Sequence, residues 1–195
     1  MGDQTMGDTS LPGQQPKGDA YAVFCGTIDH HVIVRVFQEL LQATNPKRNV
    51  SHLHLVFQST GGTVGDCVCL YNLFRSFTVG LTLYNTGAIQ SGAVTSYLGA
   101  KRRKTSPYAQ FMLHRCHCSA QFENLNHLES TANSVRLDDA RTEAIIRAHT
   151  RLPEAVWAKL NDGAVFLSAT EAVEYGFADE IGEFCPAAGS QVHCL

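Results

Sequence analysis

The sequence predicts an α/β layered fold in one domain. Short segments rich in β-branched and aromatic residues alternate with segments whose apolar residues recur at helical spacing. The connections between them are short and marked by glycine, asparagine or proline, so strand, helix, strand, helix and strand follow one another closely. Composition agrees: 195 residues, 44% hydrophobic and 17% charged, belong to a folded chain able to bury a substantial core.

Residues 1–19, with Asp3, Asp8, Pro12, Pro16 and Asp19, lack a basic start and an apolar stretch, and read as a flexible leader. The domain spans 20–184. "YAVFCGTI" predicts a strand ended by a Gly-Thr turn. A helix follows, with Asp29 as N-cap, Val32, Val36 and Leu40 on one face, and Asn45-Pro46 as its stop. "HLHLVFQS" is a second strand running to Gly61-Gly62, and Val64, Val68, Tyr71, Phe74 and Phe77 mark a second helix. "GLTLYNT" is a third strand, and "SGAVTSYLGA" a short buried helix. Lys101-Arg102-Arg103-Lys104 reads as a solvated turn, and "QFMLHRCH" as a further strand.

A long polar helix of about 122–150 carries a narrow apolar stripe: Leu125, Leu128, Ala132, Val135 and Ile145. So thin a stripe suits a helix that projects to meet a partner and a simple surface helix equally. Pro153 opens a helix through Leu160. "FLSATEAVEYGFADEI" is a strand end, then a short helix with Ser168 three before Glu171 as a capping pair and Gly176 at its end. Residues 185–195 read as a loose tail.

The net charge of −3 gives no electrostatic reason to expect nucleic acid. Nothing in the chain resembles the ~20 apolar residues of a membrane span. Seven cysteines, an odd number without a secretory signal, read as free thiols in a reducing cytoplasm.

Three features carry candidate chemistry. "STGGTV" joins an apolar strand to a helix, where two glycines can turn backbone N–H groups toward an anion or a developing oxyanion; an ordinary turn is the plain alternative. Ser91 sits among small residues, Gly87, Ala88, Gly92 and Ala93, as at a nucleophile elbow, but Ile89 and Ala93 break the strict G-x-S-x-G pattern and a helix cap is the alternative. His114 closes the apolar strand "QFML" and is the candidate base. "HRCHC" raises a zinc reading, but strand alternation turns His117 away from His114, Cys116 and Cys118, so no metal is expected. No pattern calls for a nucleotide or another cofactor.

Together, "SxGGxV", "GAIQSGA", "FMLH" and "FLSATEAVEYGFADEI" resemble, in order and separation, the Clp protease proteolytic subunit, the ClpP-like serine peptidases of the crotonase superfamily. The likeness covers roughly residues 20–184, and the last segment is close to the family's "FLSAxEAxEYGLVD". It implies a ClpP/crotonase-like fold of repeated strand-strand-helix units with 122–150 as the projecting handle. It also implies Ser91 as nucleophile, His114 as general base, and the amides of Gly62 and Gly92 as the oxyanion hole. The substrate implied is unfolded polypeptide or short peptide, cleaved inside a chamber of homo-oligomeric rings, with an ATP-dependent unfoldase as a further partner.

The chain departs from the family in two places. Ala164 falls where the family places its triad aspartate, which leaves Asp162, two residues earlier in "NDGAVFL", as the candidate third member. Arg115-Cys116 replaces the usual Gln-Pro after the histidine. Ala164 motivates a second reading, a catalytically inactive ClpP-like structural or regulatory subunit. A crotonase-type acyl-CoA enzyme is a third, weakened because no glutamate lies near Gly61-Gly62 or Ser91 in sequence.

Overall fold

β1 (Gly18–Cys25), β2 (Val50–Gln58) and β3 (Gly80–Asn85) lie side by side in parallel, and Ala22, Phe24, Leu55, Phe57 and Leu83 from them are buried in one core. The structure, a computed structural model, describes residues 18–118 and 124–195. The expected leader up to residue 17 and the first two residues of the expected handle therefore lie outside the described residues.

Parallel neighbours need crossover connections, and two helices supply them. α1 (His30–Ala43) starts where the Asp29 carboxylate accepts from the Val32 amide at 2.9 Å, and buries Val32, Val36, Leu40 and Ala43. Beyond it Pro46 opens a short 3-10 turn. α2 (Val64–Ser76) is capped by Thr63 and buries Cys67, Leu70, Tyr71 and Phe74. Its buried face is thus turned slightly from the expected stripe, since Val64 and Val68 stay half-exposed and Cys67 takes the central position.

The run expected as a solvated turn is largely a strand. β5 (Arg102–Thr105) pairs in parallel with β3 on one side and with β8 (Glu180–Ile181) on the other. Its cations are neutralised from far along the chain: Arg103 Nη2 lies 3.0 Å from Asp179 Oδ1, and Lys104 Nζ 3.0 Å from Glu180 Oε1. β9 (Val192–Cys194) adds a sixth strand beside β1, so the segment expected as a loose tail ends in the sheet, giving the order β8-β5-β3-β2-β1-β9.

A second, three-stranded sheet is built from β4 (Ala88–Gln90), β6 (Gln110–Leu113) and β7 (Val165–Ser168). β4 and β6 are parallel, β6 and β7 antiparallel. α3 (Gly92–Tyr97), every residue of which is buried, packs against α2 and against β4 and β6 of this sheet. α4 (Leu125–His149) is the long polar helix, and Ile146 is its one buried residue. Leu125 and Leu137 are 70% and 65% exposed, and the first turns of the helix stand clear of the body. α5 (Glu154–Lys159) follows, then α6 (Ala169–Glu174), which has the expected capping box of Ser168 and Glu171. Among the described residues no helix is long and apolar enough to cross a membrane.

Candidate active site

The two sheets meet at the isolated bridge Ser59↔Ile89, while a second bridge, Ile28↔Gly62, joins the segments that follow β1 and β2. Ser59 donates its amide to Ala88 O (3.2 Å) and accepts from the Gln90 amide (2.9 Å), which ties β4 to the end of β2. Gly61 follows with φ +99°, a conformation that L side chains rarely adopt, and a Cβ there would come 2.9 Å from the Cβ of Ser91. The glycine turn and the serine turn are thus packed directly against each other.

Ser91 ends β4 and precedes α3. Its amide donates to Met112 O at 2.8 Å, and its backbone sits at φ 55°, ψ −133°. For a residue with a Cβ this is a sparsely populated region, of the kind that clusters at functional sites. The hydroxyl makes no capping hydrogen bond to α3, although Ser91 occupies the N-cap position. The half-buried Oγ is therefore not engaged in the plain alternative offered by the sequence. Gly92, the first residue of α3, has by position no intrahelical acceptor for its amide. A Cβ at Gly92 would meet Cys67 Sγ at 2.6 Å, so α2 leaves room only for glycine.

Ser91, Gly62, Gly92 and His114 all line one cleft of about 500 Å³, closed on the far side by Ser134, Asp138 and Ile146 of α4. His114 leaves β6 after Leu113, so the residues 114–118 are not strand and the alternation expected for "HRCHC" does not apply to them. The His114 Nδ1 atom lies 2.6 Å from Arg115 O. A carbonyl only accepts, so Nδ1–H is the donor, and in the neutral imidazole that tautomer leaves the lone pair on Nε2.

The segment after His114 is fastened to α4. Arg115 Nη1 donates to Glu143 Oε2 (2.6 Å), and the Cys116 amide donates to Asp139 Oδ1 (2.7 Å). Glu143 also accepts from Arg147 Nε at 2.8 Å, and the Arg147 guanidinium lies 4.4 Å over the Trp157 ring. These hydrogen bonds from Arg115 and Arg147 hold the Glu143 carboxyl below its ordinary value. Burial pushes the Cys67 thiol up to about 12, and burial with the Asp139 contact pushes Cys116 up to about 11. Both thiols stay protonated near neutrality and are poor nucleophiles, which leaves Ser91 the better-placed candidate.

Asp162, the expected third member of a triad, is exposed on the turn after α5 and is not among the residues lining the cleft. Ala164 directly precedes Val165, whose ladder partner Leu113 directly precedes His114. The position opposite the histidine thus carries a methyl group. Sequence reasoning missed Asp139, Glu143 and Arg147. Their one signal was the i, i+4, i+8 spacing, which puts the three on one face of α4; their partner Arg115 is fixed only by the fold.

The sequence profile of the Clp protease family matches residues 19–184. A solved structure of a ClpP1 point mutant from Listeria monocytogenes superposes with a TM-score of 0.70, covering 84% of this chain and 91% of that one. At 22% identity that likeness bears on the fold, the same mixed α/β architecture with a parallel main sheet. The profile runs through the glycine turn, the Ser91 turn, His114 and the β7–α6 segment without leaving the domain, and on it the chain belongs to the Clp protease family.

Proposed function

We propose that this chain is a Clp-type serine peptidase that hydrolyses peptide bonds of unfolded polypeptide or short peptides. The observation that carries the reading is Ser91: a strained, uncapped serine between β4 and α3, in one cleft with His114. In this mechanism Ser91 Oγ attacks the peptide carbonyl carbon while His114 Nε2 takes the hydroxyl proton. The carbonyl oxygen becomes an oxyanion that accepts from the amides of Gly62 and Gly92. Collapse breaks the C–N bond, with Nε2 returning the proton to the leaving amine. Water then attacks the acyl-enzyme by the same route and frees Ser91.

His114 Nδ1 is engaged by Arg115 O; the reading does not require Asp162. Assembly into homo-oligomeric rings is part of the proposal, with the exposed leucines of α4 as the contact between rings.

A fluorophosphonate probe tests the chemistry. The assembled wild type is expected to be labelled at Ser91 and the Ser91→Ala variant not at all. Absence of labelling in assembled wild type would sink the assignment.

A further inference from the structure

The peptide unit between Arg115 and Cys116 is hydrogen-bonded at both ends. Its carbonyl accepts from His114 Nδ1–H at 2.6 Å. Its amide donates to Asp139 Oδ1 at 2.7 Å. A trans peptide points its C=O and N–H in opposite directions, so the three groups form one chain: imidazole, amide, carboxylate. Hydrogen bonds in such a chain polarise one another. A carboxylate accepting the amide proton makes the carbonyl at the other end a stronger acceptor for Nδ1–H.

From this geometry we propose that Asp139 is a positioning residue for His114, acting through the Arg115–Cys116 peptide unit. It supplies from the handle helix part of what a directly bonded carboxylate supplies elsewhere: a fixed imidazole tautomer and a stabilised imidazolium. The proposal rests on reading Ser91 and His114 as nucleophile and base.

The surroundings favour Asp139 over other charges. Asp138 lines the cleft but is paired with Arg141 at 2.8 Å. Glu143 is taken by Arg115 and Arg147, and so steadies the Arg115 side chain. His117 stands 5.1 Å from the His114 ring as a neighbour. Across β7 the nearest position is Ala164, which carries no charge. The Asp139 carboxylate meets the Cys116 thiol but also binds the peptide unit itself, while the other carboxylates bind side chains.

Asp139→Asn keeps the shape and an acceptor oxygen but removes the charge; Asp139→Ala removes both. On assembled protein of wild-type melting temperature, three readouts apply: the rate of fluorophosphonate labelling at Ser91, kcat and KM on a fluorogenic peptide, and the pH profile of kcat/KM. Losing a carboxylate that acts through a neutral amide should lower kcat by about tenfold to a hundredfold, below the loss seen for a directly bonded one. KM should hold. The acid limb of the profile should move to lower pH, because a less stabilised imidazolium gives up its proton sooner. Asp139→Asn should fall between wild type and Asp139→Ala. If wild type is labelled and both variants match its rate and its acid limb, the role of Asp139 is refuted while Ser91 and His114 stand. If wild type itself is not labelled, the underlying reading fails first.

Discussion

Cys67 and Gly92 show how narrow the tolerances around the serine turn are. A methyl group at position 92 would sit 2.6 Å from a thiol that is itself fully buried under α3. Gly92→Ala is therefore expected to cost about 1–3 kcal/mol of stability, the usual penalty for overpacking. It should also slow labelling of Ser91, because the strain falls on the turn that presents the hydroxyl. Trimming the neighbour in a Gly92→Ala/Cys67→Ala double variant should recover part of the melting temperature. A single variant with an unchanged melting temperature would show that the turn has more room than the geometry gives it.

α4 links the site to the rest of the molecule through charge. Arg115, Glu143, Arg147 and Glu154 form one run of ion pairs from the segment behind His114 to the start of α5. Hydrogen bonds from Arg115 and Arg147 lower the Glu143 pKa from its ordinary 4.5. The sign follows: stability from a depressed carboxylate is fully present above its unfolded value and is lost as pH falls through the folded one. Acid unfolding followed by circular dichroism should thus show a loss beginning below about pH 4.5, and Glu143→Gln should flatten it. The same element shows where sequence reading stops. Ser168 with Glu171, and Asp29 before Val32, are local signals, and the structure shows both caps. The pairing of Arg103 with Asp179, 76 residues away, has no local signal, so β5 read as a turn. β4 is three residues long and shows no alternation of its own; it exists because Ser59 and β6 flank it. The serine turn, the histidine and the glycine turn were legible as an ordered set, whereas the peptide unit bridging His114 and Asp139 depends on a backbone path no side-chain pattern reveals.

On the scale of the whole molecule, the exposed start of α4 sets the expectation for assembly. Leu125, Leu128 and Leu137 are 70%, 42% and 65% exposed on a helix that gives the core only Ile146. Replacing the three leucines with glutamate should shift sedimentation velocity from large assemblies toward small ones while leaving the circular dichroism of the subunit intact. Assemblies of unchanged size would refute these leucines as the proposed contact. The other extremity of the fold is β9, three residues lying along Tyr21–Val23 of β1. An uncovered parallel strand offers a row of free amides and carbonyls to any passing chain. Those three residues leave the sheet with a very short edge in place of the longer β1, so cleavage between 185 and 191 is expected to uncover Tyr21–Val23 and to raise light scattering of the clipped protein over that of the intact chain.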